Sequence, residues 1–257
     1  DVTPIDPNLQ TGSKISSDNL LNKCYANLAV AGNGGANGDC DIDGLDGGTT
    51  GFVRQLFNAY ELTTDEAVCA WGDAGVSNFN ESNYDASHPM LKGFYYRLYA
   101  GIGYCNQYIN EYGSIDAQKT AEARFLRAYF YFTAVEKFGD VPFTTEVLTE
   151  DEANALPRTP AKEVLDFVVK ECDAIADKLP VDYSKLGDDA AANETGRVGK
   201  LAVLALKART LLYEASPLFN TNNDKELYHQ AALASKAVID ACLANGVQLG
   251  KYSDLWG

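Results

Sequence analysis

The sequence predicts an all-α fold of tetratricopeptide-like helical repeats with long irregular loops, and three observations carry that prediction. Apolar residues recur at helical spacing along most of the chain, best in Ala121, Phe125, Ala128, Phe132 and Val135, which step by four, three, four and three. No run of six residues alternates between apolar and polar with β-branched enrichment, so strands leave no signature. Small residues (Ala123, Ala128, Ala202, Ala205, Ala231, Ala234) recur at expected seam positions and would let helices approach closely. That is the style of arrays in which each helix pair buries its face on the next, although the spacing follows no clean period of about 34 residues.

The elements follow in chain order. Residues 1–16 read as an extended arm, stiffened by Pro4 and Pro7, and 17–257 as one helical domain. Ser17 or Asp18 is expected to cap a first helix with Leu20, Leu21, Cys24, Tyr25 and Leu28 as its stripe. Residues 32–51 hold eight of the 22 glycines and four aspartates, which makes them a long loop. A helix over 52–62 carries Phe52, Leu56, Phe57 and Tyr60 on one face. Residues 63–89 are irregular, with Trp71, Phe79 and Tyr84 embedded among Asn, Asp, Ser and Gly. Pro89 suits the first position of a helix running to about 111, because its missing N–H costs nothing there. The 121–135 helix should end at Gly139 and Pro142. Thr159-Pro160 is expected to supply the cap and first residue of the next, with Val164, Phe167, Val168, Ile175 and Leu179 inward. A helix over 199–219 should bury Leu201, Leu204, Ala205, Ala208, Leu211, Leu212 and Ala215. Asp224 caps the last, with Leu227, Ala231, Ala234, Val238 and Ala241 inward. That makes about seven helices.

Charge narrows the function. Acidic residues exceed basic ones, 36 to 21, giving a formal charge of −15. A nucleic-acid binder needs Lys and Arg to displace counterions from phosphates, and an anionic membrane face asks for the same sign. Both are excluded as partners, and no apolar run is long enough to span a bilayer. The six cysteines never stand two residues apart, so no zinc ribbon or redox pair is written. Cys24, Cys105, Cys172 and Cys242 read as small buried hydrophobes. Cys40 and Cys69, in loops, could pair.

Catalytic signals are weak. His88 precedes a helix-starting proline and His229 lies on a polar helix face, and neither belongs to a metal-ligand motif. Asp65 and Glu66 are adjacent and would point apart on a helix, so they cannot flank one glycosidic bond, and Asp65 or Thr64 is expected to cap a helix instead. Asp39-Cys40-Asp41-Ile42-Asp43-Gly44 opens like a calcium loop, but position twelve is Thr50 where a bidentate Glu is needed. It reads as an acidic loop without metal. The constellation Trp71-Gly72-Asp73, with Asn78, Phe79, Asn80, Asn83 and Tyr84, is richer. It supplies a flat aromatic face for sugar C–H groups and carboxylates or amides for hydroxyl pairs. The same residues also fit a core-plugging indole among amide turns.

The stretch Ala121-Glu122-Ala123-Arg124-Phe125-Leu126-Arg127-Ala128-Tyr129-Phe130-Tyr131-Phe132, followed by Phe138-Gly139-Asp140-Val141-Pro142, resembles the most diagnostic segment of the SusD/RagB family. Arg158-Thr159-Pro160, Asp177-Lys178-Leu179-Pro180, Gly196-Arg197-Val198 and Ala215-Ser216-Pro217-Leu218-Phe219-Asn220 resemble further family segments in the expected order. So do Asp41-Ile42-Asp43-Gly44, Glu61-Leu62-Thr63-Thr64-Asp65-Glu66 and Trp71-Gly72-Asp73 upstream. Tyr252-Ser253-Asp254-Leu255-Trp256 is similar to a mid-protein motif, so the chain is expected to be an amino-terminal half lacking the carboxy-terminal one. The resemblance implies a surface-exposed outer-membrane lipoprotein, its lipid-bearing cysteine outside this chain. Such a protein captures an oligosaccharide or polysaccharide and delivers it to a SusC-type TonB-dependent transporter. It implies a binder with no enzyme activity and no cofactor. Carried over, Asp41, Asp43, Asp65, Trp71, Asp73 and Asn78 become the sugar contacts. A helical scaffold of the transporter complex and a peptide-binding family member are the alternatives.

Overall fold

The computed structural model describes residues 15–28, 61, 63–68, 77–181, 183 and 196–255. The expected 32–51 loop, nearly all of the 52–62 helix and residues 1–14 of the arm lie outside them. The chain divides into two compact units, 1–104 and 105–257. The first contains α1 (Ser17–Tyr25), α2 (Ser77–Asn80) and the start of α3 (Pro89–Tyr112). The second contains the end of α3, α4 (Ala117–Phe138), α5 (Glu150–Ala155), α6 (Ala161–Ile175), α7 (Lys200–Ala215) and α8 (Lys225–Ala244). The all-α expectation holds. Among the described residues the only sheet is a two-residue antiparallel pairing of β1 (Val141–Pro142) with β2 (Arg158–Thr159).

In the first unit, α1 buries Leu20, Leu21 and Cys24, as its spacing predicts. Its cap is Ser16, whose Oγ accepts from the Asn19 amide at 3.3 Å, so neither Ser17 nor Asp18 fills that role. Pro89 opens α3 as expected, and Phe94, Leu98 and Ile102 form its buried stripe.

In the second unit, α4 starts where Asp116 Oδ1 accepts from the amides of Gln118 (2.9 Å) and Lys119 (3.0 Å). It stops where Gly139 adopts φ +68°, a conformation that side chains resist. All five stripe residues are buried, but so are Glu122, Leu126, Arg127, Phe130 and Tyr131. The helix is therefore covered on more than one face, and its apolar stripe marks only part of the contact. Helix α4 packs on α6, α6 on α7, and α7 on α8. This consecutive stacking matches the repeat style predicted above.

Ion pairs tie this stack together. Glu122, with no exposed surface, accepts from Arg197 through Nε and Nη2, each at 2.8 Å. Glu171 accepts from Arg124 Nη2 (2.6 Å), Arg124 Nε (2.9 Å) and Arg127 Nη2 (3.1 Å). Arg127 Nη1 also donates to Asn106 Oδ1 (2.9 Å), while Asn106 Nδ2 donates to the Glu146 carbonyl (3.0 Å).

Several boundaries differ from the expectation. Thr159 does not cap α6, because its backbone pairs with Val141. Pro160 stands at the cap position and the first free amide, of Ala161, donates to Asp140 Oδ1 at 2.8 Å. Helix α7 ends at Ala215 and not at 219, since Ser216 precedes Pro217 and is forced out of the helical region to φ −64°, ψ 151°. Its buried face is Val203, Leu206, Ala208, Thr210, Leu211, Glu214 and Ala215. Ala202, Ala205 and Leu212 are exposed, so the predicted stripe was rotated and two expected seam alanines face solvent. Asp224 does cap α8, its Oδ1 accepting from the Glu226 amide at 2.9 Å. That helix buries only Ala231, against Leu211 and Ala215, while Val238, Ala241 and Cys242 are half-buried. Helix α5 was not foreseen. It forms because Thr149 and Glu152 cap each other's backbone reciprocally. No helix among the described residues is long and apolar enough to cross a membrane.

Candidate ligand site

Of the six predicted contacts, Asp41, Asp43, Trp71 and Asp73 lie outside the described residues, as do Cys40 and Cys69. Asp65 and Asn78 are described. Asp65 is exposed in a turn that Thr64 builds: its Oγ1 donates to the Glu61 carbonyl (2.8 Å) and accepts from the Glu66 amide (3.3 Å). No described helix starts at Thr64 or Asp65, so the expected cap is not formed. The hydroxyl is spent on reversing the chain. Asn78 is half-buried in α2, and its carbonyl accepts from the Asn83 amide at 2.8 Å. The two side chains are not bonded to one another.

The segment from α2 to α3 forms an open concavity of about 390 Å³, lined by Ser82, Asn83, Tyr84, Asp85, Ser87 and His88. Its shape has local causes. Ser82 sits at φ +54°, which turns the chain sharply after α2. The Phe79 ring then packs on Tyr84, with centroids 4.5 Å apart, and edge-on to His88 at 4.8 Å. His88 is buried, whereas Tyr84 stays about half exposed, at 51%. Phe79 thus anchors one face of Tyr84 and leaves the rest of the ring open.

Asp85 supplies the fixed charge. Its Oδ1 accepts from both the Ser87 hydroxyl (2.6 Å) and the Ser87 amide (2.8 Å). These hydrogen bonds, with a smaller contribution from nearby His88, hold the carboxyl below its ordinary range. Asn83 and Tyr84 belong to the constellation read from the sequence; Ser82, Asp85, Ser87 and His88 do not. The missed signal is Asp85-Ala86-Ser87 followed by His88-Pro89, an Asx-type turn that feeds a proline-started helix. No cluster able to hold a metal ion occurs among the described residues.

With this geometry in view, comparison with known proteins identifies the chain's relatives. A family model for SusD-like proteins, described as starch-binding and associating with the outer membrane, matches residues 6–212. The starch-binding protein SusD of Bacteroides thetaiotaomicron is 34% identical over 201 residues, which cover 75% of this chain and 35% of that protein. A SusD-like carbohydrate-binding protein of Bacteroides fragilis superposes with a TM-score of 0.51 at 32% identity, covering 62% of this chain and 29% of its own. A SusD superfamily protein of Parabacteroides distasonis shares the fold, with a TM-score of 0.64 at 24% identity, over 89% of this chain and 46% of its own. The chain spans about a third or less of the length of the curated relatives it matches. Resemblance in motifs, a model matched over most of the chain and a relative above 30% identity agree: the chain belongs to the SusD-like family.

Proposed function

We propose that the chain is part of a glycan-binding protein of the outer-membrane surface, without catalytic activity of its own. Its role is to take up an oligosaccharide or polysaccharide and pass it to a SusC-type TonB-dependent transporter, and a lipid anchor outside this chain would hold it at the membrane. The observation that carries the reading is the open concavity with a half-exposed Tyr84 beside Asn83 and Asp85, in a member of a family described as starch-binding.

The chemistry fits a sugar. A pyranose ring presents a face of C–H groups that covers an aromatic ring, and hydroxyl pairs at its edge. Asp85 stays ionised at neutral pH and accepts from hydroxyls, and the Asn83 amide both donates and accepts. Each hydroxyl contact replaces one to water and nets only about 0.5–1.5 kcal/mol, so affinity is modest and avidity on a polymer matters. Trp71 and Asp73, 13 and 11 residues upstream of Tyr84, are proposed as further sugar contacts, together with Asp41, Asp43, Asp65 and Asn78, on the strength of the family resemblance.

The test is isothermal calorimetry on the whole protein with a panel of oligosaccharides, α-glucans first. Tyr84→Ala and Trp71→Ala are each expected to weaken binding of the cognate glycan by at least tenfold. Unchanged affinity in both variants for a glycan that binds would remove these loops from the site. Release of new reducing ends from a polysaccharide would overturn the non-catalytic reading.

A further inference from the structure

A second cavity, of about 190 Å³, lies in the second unit where α7 turns into α8 beside α6. Lys162, Leu165, Glu214, Asn220, Asp224 and Leu227 line it. Glu214 is only 4% exposed, and its Oε1 is buried without any hydrogen-bond partner. Three of the other polar residues around the cavity are engaged. Lys162 Nζ donates to both oxygens of Asp166, at 2.8 and 3.0 Å. Asn220 donates to the Asp224 carbonyl (2.9 Å) and accepts from the Asp224 amide (2.7 Å), while Asp224 Oδ1 caps α8.

A buried carboxylate that accepts nothing is costly, and this one sits at the edge of an empty space. The charges acting on it are Asp166, which is negative, and Lys162, already paired with that aspartate, and Asp224 adds a second carboxylate to the cavity lining. Burial, with Asp166 acting in the same direction and Lys162 against it, pushes the carboxyl up to about 7. A cation would reverse that trend, and a charge-assisted hydrogen bond is about twice as strong as a neutral one. A divalent metal needs several oxygen ligands, and no such cluster occurs among the described residues. The cavity is also smaller than the roughly 300–1,000 Å³ of pockets for drug-sized ligands, which suits a guest of side-chain size. Leu165 and Leu227 give it apolar walls.

We propose that this cavity binds a primary ammonium group on an alkyl stem, its N–H groups donating to Glu214 and its methylenes lying against Leu165 and Leu227. The guest is either a free alkylamine or the side chain of a lysine on a partner, since both present the same group.

The experiment titrates the whole protein, with leucine methyls isotopically labelled, with n-butylamine, Nα-acetyl-lysine amide and the neutral control n-butanol. The Leu165 and Leu227 methyl signals are expected to shift saturably with the amines and not with the alcohol. Affinity should be at least tenfold weaker at pH 5 than at pH 8, because the amines stay charged throughout while Glu214 becomes neutral. Glu214→Gln should weaken amine binding at least tenfold. Lys162→Met, which removes a competing cation, should leave binding intact or tighter, and it keeps the question open to test should Glu214→Gln fail to fold. Saturation by the lysine amide points to a partner's side chain, and saturation by butylamine alone to free amines. No saturable shift with either amine, equal binding of butanol, or undiminished binding in Glu214→Gln would overturn the proposal.

Discussion

Arg197→Met is expected to destabilise the protein by about 3–5 kcal/mol, the usual loss when one partner of a buried ion pair is removed. The structure supplies the terms. Glu122 has no exposed surface, Arg197 is 19% exposed, and the pair is bidentate with both contacts at 2.8 Å. Two unit charges about 4 Å apart attract by about 4 kcal/mol at an effective dielectric near 20, which agrees with that range. Tyr183 cannot take over. Its hydroxyl donates to the Val198 carbonyl at 3.0 Å and stands 3.4 Å from Glu122. Against a typical stability of 5–15 kcal/mol the loss is large. Urea denaturation followed by circular dichroism measures it, with the m-value checking that the transition stays cooperative. The double variant Glu122→Met/Arg197→Met should recover most of the loss, since it removes both charges. A loss below about 1 kcal/mol in Arg197→Met, or a double variant no better than the single one, would refute the reasoning.

Other consequences follow from buried groups and backbone strain. Glu214 has a folded pKa of about 7 against an ordinary 4.5, so the folded state gains from protonation below pH 4.5, and that gain disappears as pH rises through 7. At about 1.36 kcal/mol per pH unit, Glu214→Gln should be more stable than the parent at pH 8 by up to about 3 kcal/mol and no more stable at pH 4, as read by denaturation at both pH values. The Cys172 thiol is pushed up to about 12, chiefly by burial, so peptide mapping after iodoacetamide at pH 8 should find Cys172 unmodified in the native protein and modified in urea. Gly139→Ala should cost at least about 1 kcal/mol, because φ +68° strains any side chain although open space surrounds the new methyl group; a melting temperature equal to the parent's would contradict this.

The fold was largely legible because helices announce themselves by spacing and punctuation. Pro89, Gly139 and Asp224 each act locally, and each stands at the helix end that it marks. The failures involve partners distant in sequence. The cap of α6 comes from Asp140, 21 residues upstream, because a two-residue strand pairing claims Thr159. Helix α7 carries apolar residues on two overlapping stripes, and only packing against α6 and α8 selects which one is buried. The candidate site can be compared with the sequence only in its residue types. The aromatic and amide content of its loop pointed to Tyr84 and Asn83. The concavity itself depends on the positive φ of Ser82 and on the Phe79 contacts, which no spacing rule encodes.

The residues that make the family recognisable are the ones that hold the frame. Glu122, Arg124 and Arg127 lie in the most diagnostic segment, and all three are engaged in ion pairs with Arg197 or Glu171. Arg197 stands 75 residues from Glu122, in a second segment that carries the resemblance, so the two motifs are the two ends of one strut. These charges are largely spent on one another, and of their side-chain nitrogens the buried Arg127 Nε alone is known to lack a hydrogen-bond partner. On the proposed function, choice of ligand would fall to the connectors, where Asn83, Tyr84 and Asp85 are exposed. Family membership therefore predicts stability behaviour from Glu122 and Arg197 more sharply than it predicts a ligand, and, on the proposed function, Asn83→Ala and Tyr84→Ala, both at exposed positions, should weaken glycan binding while leaving the denaturation midpoint almost unmoved.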